Sequence, residues 1–290
     1  MEENKDKKIW SVYGGFGFVL GEFCKIFKDE VVRIEKDEVA PQSPHILYGI
    51  STTDNYNVFD SHTLDIETNL LRFMDVLDAC HKKYGTKFEF ILISSWFVYG
   101  VPSSTAFPLL ETTQPDPKGF YSITARAREQ LLVSYCETFG IRYKILRLAN
   151  VLGSKDKKVS KKKNALQYLI QKIILNETIE LYDNGEFFRD YIDVRDCAVA
   201  IKSAMESPLP YTTYNISNGV SHKFRDLIEF VIEYSGSKSL VMDKLDVPEF
   251  HAVVQSKNVF ISNRRLGETG YTPKYSIQDT LMKIVDDYQN

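Results

Sequence analysis

Short apolar runs of strand character alternate along this chain with stretches of helical period, and that alternation restricts it to a layered α/β architecture. Ile9-Trp-Ser-Val-Tyr13 is a strand that runs into a glycine turn, and Gly21 to Phe27 fits the helix that follows. Glu30-Val-Val-Arg-Ile-Glu35 and His45-Ile-Leu-Tyr-Gly-Ile50 are the next two strands, separated by a very short polar connection. Asp65 to Tyr84 carries Leu70, Leu71, Met74, Leu77 and Cys80 at helical spacing. Phe88-Glu-Phe-Ile-Leu-Ile-Ser94 has the continuous apolar centre of a parallel strand covered on both faces. A helix from Tyr121 to Phe139 leads into Tyr143-Lys-Ile-Leu-Arg-Leu148. Further on, helices are predicted over Ala165 to Leu175 and Arg195 to Glu206, with strands at Ile179 to Tyr182 and Thr213 to Ser217. The order predicts βαβ units and a Rossmann-like, doubly wound parallel sheet over residues 1–152. Residues 153–290 are expected to form mainly a smaller C-terminal substrate-binding lobe, with about 190–218 returning to the main domain.

The 290 residues, 43% hydrophobic and 26% charged, suit a soluble chain with a large core. A formal charge of −3 gives no reason to invoke a nucleic-acid polymer. The polar start Met1 to Lys8 does not read as a signal peptide, and no stretch approaches a membrane span, so a cytoplasmic location is expected. Cys24, Cys80, Cys136 and Cys197 lie in apolar helical contexts without metal spacing and read as buried thiols. The five histidines show no ligand interval either, and no metal is expected.

Gly14-Gly-Phe-Gly-Phe-Val-Leu-Gly21 stands where a strand ends and a helix opens, the context required for cradling a phosphate. Gly14 permits the tight turn and Gly17 a close approach of backbone to pyrophosphate, with Phe16 and Phe18 as neighbouring contacts and helix-start amides facing the anion. A third glycine is expected at position 20, but Leu20 stands there and Gly21 follows. Glu35, ending the second strand, is placed to accept the adenosine-ribose hydroxyls, which favours NAD over a 2′-phosphorylated cofactor. Lys36 and Arg33 beside it oppose that preference.

Taken together, these segments resemble an extended short-chain dehydrogenase/reductase of the NAD-dependent sugar-nucleotide epimerase/dehydratase family. Residues 9–21 resemble its cofactor turn, and Asn69 the asparagine-led helix beside the nicotinamide half. Ile93-Ser-Ser-Trp-Phe-Val-Tyr-Gly100 resembles the segment with the catalytic serine or threonine, and Tyr121, with Glu129 two turns on, the segment with the catalytic tyrosine. Leu146 to Gly153 resembles the strand and turn ending at a substrate-diphosphate asparagine, here Asn150. Phe188 to Asp196 resembles the arginine-bearing segment that meets the nucleotide, here Arg189. Tyr214 to Gly219 and Arg265 to Pro273 complete a likeness that covers nearly the whole chain.

The resemblance implies Ser95 and Tyr121 as the catalytic pair, with Ser95 holding the reacting sugar oxygen and Tyr121 moving its proton. It implies cofactor contacts at Gly14, Phe16, Gly17, Phe18, Glu35, Asn69 and Tyr121. Substrate contacts follow at Ser95, Trp96, Phe97, Asn150 and Arg189. Three departures stand against it. Ala125 occupies the place, one helical turn from Tyr121, where the family has a lysine that favours the phenolate. The third glycine is displaced or absent. Only Lys36 to Pro44 separates Glu35 from His45, where the family has a further strand, a helix and an adenine-contacting aspartate.

Lys157, Lys158, Lys161, Lys162 and Lys163 read either as a solvated charge run or as a lid over the diphosphate. Asp193 and Asp196 read as organisers of loops and nearby arginines. The leading function is an NAD-dependent epimerase or C4 dehydrogenase/reductase of a nucleotide-diphosphate sugar. A 4,6-dehydratase is weaker, because Trp96 and Phe97 stand where its acidic pair belongs. Alternatives left open by Ala125 are a catalytically impaired binder of NAD or nucleotide sugar, and a non-enzymatic partner subunit. A homodimer through the helices of Asn69 to Tyr84 and Tyr121 to Phe139 is expected.

Overall fold

The computed structural model describes residues 8–53, 55–100, 107–156, 159–160, 164–246, 249–254 and 257–290. In chain order its elements are β1 (Trp10–Tyr13), α1 (Phe18–Ile26), β2 (Val31–Ile34), β3 (His45–Tyr48), α2 (Leu64–Ile66), α3 (Arg72–Tyr84), β4 (Glu89–Ser95), α4 (Phe120–Phe139), β5 (Arg142–Leu148) and β6 (Asn150–Leu152). There follow α5 (Ala165–Ile174), β7 (Ile179–Tyr182), β8 (Phe188–Asp193), α6 (Val194–Glu206), β9 (Thr212–Ile216), β10 (Ser221–Lys223), α7 (Phe224–Ser235), β11 (Val241–Lys244), α8 (Glu249–Val254), α9 (Arg264–Gly267) and α10 (Ile277–Gln289).

Six parallel strands form the main sheet in the order β2-β1-β3-β4-β5-β9. Because side chains alternate across a strand, each strand feeds two cores. Val12, Leu47 and Ile91 point to one face, where α1 and α6 supply Leu20, Phe23, Ala198 and Ile201. Tyr13, Tyr48, Phe90 and Leu92 point to the other, against Phe73, Leu77 and Cys80 of α3 and Leu132 and Cys136 of α4. This is the doubly wound arrangement that the apolar runs predict. All four cysteines are free and buried, as their apolar settings predict.

β2 is the edge of the sheet. The chain returns from it past β1 to β3 without a helix, and the ladder it would otherwise need is replaced by side-chain ties. Ser11 Oγ accepts from the amides of Gln42 and Ser43, the Tyr13 hydroxyl donates to the Val39 carbonyl, and the Arg72 guanidinium donates to the carbonyls of Lys36 and Glu38. The shortened connection seen in the sequence is therefore real, and among the described residues no strand lies beyond β2.

The remaining strands make two small sheets, β10-β8-β6 and β11-β7. Their core joins Leu166 and Ile170 of α5, Leu227 and Ile228 of α7, and Leu281 and Ile284 of α10. In residues 190–218, β9 pairs with β5 in the main sheet and α6 packs on its face, whereas β8 pairs with β6 and β10 in a small sheet. Among the described residues no helix is long and apolar enough to cross a membrane.

Candidate active site

Parallel strands deliver their carboxyl ends to one edge of a sheet, and the predicted site residues gather there. Gly14, at φ +86°, turns the chain out of β1, and its α-carbon packs against the Gly49 backbone beyond β3. The Gly17 amide closes the turn on the Gly14 carbonyl at 2.9 Å. Gly17 is the N-cap of α1 and no side chain caps it, so the first amides of the helix face outward, as an anion site requires. These residues fit a dinucleotide pyrophosphate. Leu20 stands in place of the third glycine and packs over Gly49: a β-carbon on Gly49 would lie 2.4 Å from Leu20 Cδ1. Leu20 and Gly49, just beyond β3, thus meet where α1 crosses the sheet.

Phe16 is 59% exposed, with the Arg33 guanidinium 5.5 Å above its ring. Phe18 is half-buried and its ring packs on Gly153, turned toward the lobe. Glu35 is exposed just beyond β2, beside Arg33 and Lys36.

Asn69 sits in a π-helical turn, Glu67–Leu71, between α2 and α3. It is fully buried: its Oδ1 accepts from Ser51 Oγ and the Thr52 amide, and its Nδ2 donates to Thr52 Oγ1 and Thr124 Oγ1. The side chain thus ties the β3 loop to α4, and its capacity is used up by protein.

Ser95 ends β4 and caps the short turn Trp96–Tyr99, its hydroxyl accepting from the Phe97 amide at 3.3 Å. It is half-buried, whereas its neighbour Ser94 is buried and donates to Glu129 at 2.6 Å. Phe97 stacks on Trp96 with centroids 4.0 Å apart and meets the Tyr121 ring edge-on at 5.6 Å. Ser95, Phe97 and Tyr121 are thereby brought together. Trp96 is buried, and its indole donates to Asn150 Oδ1 at 3.2 Å. Phe97, beside it, is half-buried. Asn150 Nδ2 donates to the Asp190 carbonyl at 3.0 Å. The Arg189 guanidinium bonds the carbonyls of Phe188 and Lys257 and lies over Phe187. Both residues belong to the β10-β8-β6 sheet, Asn150 in β6 and Arg189 in β8. Asp193 caps α6 and grips Arg195, and Asp196 accepts the amides of Lys274 and Tyr275, the organising roles expected of them. The five lysines from Lys157 to Lys163 lie outside the described residues.

Sequence reading missed the supports of α4. Asn55 Oδ1 accepts from the Ser122 amide at 3.2 Å and so caps the helix that carries Tyr121. Glu129 is fully buried, held by Arg147 through both nitrogens at 2.9 and 2.7 Å, by Arg126 and by Ser94. Burial opposes its charge, but these hydrogen bonds prevail and hold its carboxyl below the ordinary value. Arg128, also buried, donates to the carbonyls of Ile50 at 2.7 Å and Ile93 at 3.3 Å. The available signal was the core stripe Tyr121, Ala125, Arg128, Leu132 and Cys136, in which a charge is out of place.

An extended α/β sheet with a glycine turn, a strand-end serine and a helix-borne tyrosine at one edge defines a nucleotide-binding oxidoreductase scaffold. The chain belongs to the NAD dependent epimerase/dehydratase family, whose model matches residues 29–217. The match begins beyond the glycine turn and takes in Glu35, Asn69, Ser95, Tyr121, Asn150 and Arg189. GDP-6-deoxy-D-mannose reductase from Pseudomonas aeruginosa is 26% identical over 236 residues, covering 78% of this chain and 73% of that protein. In fold, the chain is similar to UDP-glucose 4-epimerase of Thermus thermophilus solved with NAD, at a TM-score of 0.82 and 21% identity over 97% of this chain and 98% of the other. It is equally similar to RMD from Pseudomonas aeruginosa complexed with NADPH, at a TM-score of 0.83 and 22% identity over 97% and 99%.

Proposed function

We propose that this chain is an NAD-dependent oxidoreductase acting on a nucleotide-diphosphate sugar, as an epimerase or as a C4 dehydrogenase/reductase. The observation that carries the reading is the meeting of Ser95, Phe97 and Tyr121 at the strand ends, two strands from the glycine turn. Gly14, Gly17 and the open amides of α1 hold the pyrophosphate, and Glu35 takes the adenosine ribose. Bound NAD supplies the acceptor for hydride from the sugar. Ser95 keeps its hydroxyl proton for the reacting sugar oxygen, and Tyr121 takes that oxygen's proton and returns it on reduction. Phe97 walls the sugar, and Asn150 and Arg189 face the diphosphate. The GDP- and UDP-sugar names of the relatives support the substrate class, and the absence of an acid at positions 96 and 97 weighs against a 4,6-dehydratase.

A second reading, a binder with little turnover, is favoured by one observation: position 125 is a fully buried alanine. Single-turnover measurement of NADH formation, with NAD and a panel of nucleotide sugars, separates the two. Turnover that is lost in Tyr121→Phe supports the oxidoreductase. Turnover only after Ala125→Lys supports the binder, and equal rates in all three proteins refute the assignment of Tyr121. Titration calorimetry showing NADP(H) bound more tightly than NAD(H) would reject the role of Glu35.

The chain is further read as a homodimer formed through the helices of Asn69 to Tyr84 and Tyr121 to Phe139, which expose Leu71, Leu131 and Phe139. The location is read as cytoplasmic, in accord with four buried free thiols among the described residues.

A further inference from the structure

We infer that Arg128 supplies, one turn further along α4, the buried positive charge that Ala125 cannot, and so tunes the acidity of Tyr121. This rests on the reading of Tyr121 as the acid–base group.

Tyr121, Ala125 and Arg128 are spaced i, i+4 and i+7, and so form one stripe on the inward face of α4. A helical side chain leans back toward the amino end of its helix, over the preceding turn. The Arg128 side chain therefore leans toward the turn of Ala125, and it is near enough to Tyr121 for the two to interact electrostatically. Its guanidinium is placed at the strand ends by the carbonyls of Ile50, beyond β3, and Ile93, in β4. Only 1% of the residue is exposed, and its Nε is buried with no hydrogen-bond partner among the described residues.

Both its partners are neutral carbonyls, so the charge is not cancelled by a carboxylate. The adjacent carboxylate, Glu129, is committed to Arg147 of β5 and to Arg126. The other titratable group facing the guanidinium is Tyr48 of β3, whose ring lies 6.0 Å below it and whose phenol burial pushes up to about 12. Burial pulls the pKa of Arg128 itself down, while Tyr48, Tyr121 and Glu129 draw it the other way. An arginine remains charged under such conditions, where a buried lysine would lose its proton more readily. A buried cation next to a phenol favours the phenolate. The lost lysine charge is thus restored without a group that touches the ribose, which makes Arg128 a positioning residue acting through Tyr121.

The test is a pH titration by NMR of protein carrying tyrosine labelled with carbon-13 at Cζ, with the Tyr121 signal identified as the one missing from Tyr121→Phe. Arg128→Gln keeps a donor for the carbonyls and removes the charge. It should raise the Tyr121 pKa by about one unit or more, the scale of a partly screened unit charge nearby. Arg128→Lys should restore most of the difference. The double variant Ala125→Lys/Arg128→Gln, with the cation moved back one turn, should return Tyr121 to the pKa of the unmodified chain. It carries the test if Arg128→Gln does not fold. An unchanged Tyr121 pKa in Arg128→Gln, or a double variant that fails to fold or leaves the pKa raised, overturns the inference. The titration needs no turnover. A pKa shift without activity on any nucleotide sugar would reject the oxidoreductase reading alone. Activity without the shift would reject the role of Arg128 alone.

Discussion

Gly49→Ala tests how this chain manages without a third glycine in its cofactor turn. The new methyl would stand 2.4 Å from Leu20 Cδ1 and 3.3 Å from Leu20 Cγ, with Ile93 Cγ1 at 3.6 Å on the far side. Leu20 is 4% exposed and sits in the core between its helix and the sheet, so the contact must be relieved within a packed interior. Overpacking of this kind costs about 1–3 kcal/mol. Against it stands the loss of glycine freedom in the unfolded chain, which favours alanine by about 0.4–1 kcal/mol. A net loss of about 1–2 kcal/mol is expected. Leu20→Ala alone should cost about 2–5 kcal/mol by leaving a cavity. In that background the Gly49 methyl fills part of the space, so Gly49→Ala should turn neutral or stabilising, and the pair should couple by about 2 kcal/mol. Urea denaturation of the four proteins measures the cycle. Because Gly14 packs on the Gly49 backbone, NAD affinity should fall in Gly49→Ala and recover in the double variant. Equal costs of Gly49→Ala in both backgrounds would refute the claim that Leu20 and Gly49 exchange the space of one glycine.

Glu129→Ala leaves Arg147 buried without its carboxylate and should destabilise the chain by about 3–5 kcal/mol in the same assay, with Glu129→Asp recovering part of it. Burial opposes the charge of Glu89, but hydrogen bonds from His45 and Lys8 hold its carboxyl down at about 2, against 4.5 ordinarily. A depressed acid stabilises the fold fully above the ordinary value and ceases to do so as pH falls through the folded one. Up to about 3 kcal/mol should therefore disappear between pH 4.5 and 2, and thermal melts of Glu89→Gln should lack that slope. Leu131→Glu, on the exposed face of α4, should lower the sedimentation coefficient to that of a monomer; a native chain that already sediments as a monomer would refute the dimer.

Much of this molecule was legible in its residues. Short apolar runs and helical spacings marked the strands and helices, because burial of both faces of a strand or one face of a helix leaves its mark on a chain. The glycine turn and the trimmed adenine side could be read likewise, since a turn needs glycine and the short run from Lys36 to Pro44 leaves no room for a helix and a strand. Ser95 and Tyr121 were recognisable by their places at a strand end and a helix start. Contacts between distant residues were not. Nothing local in the chain announces that the Asn69 amide bonds Ser51, Thr52 and Thr124, or that the Trp96 indole bonds Asn150. Arg128 and Arg126, two residues apart on one helix, are alike in sequence; only the strands behind α4 decide that Arg126 is half-buried and Arg128 fully so. The sequence by itself determined which segments are strand and helix and that their ends hold the chemistry, because those follow from local spacing. Only the tertiary structure decided which polar groups serve the protein and which face a ligand, because a hydrogen bond across 78 residues, such as that from Arg128 to Ile50, leaves no periodic trace in the chain.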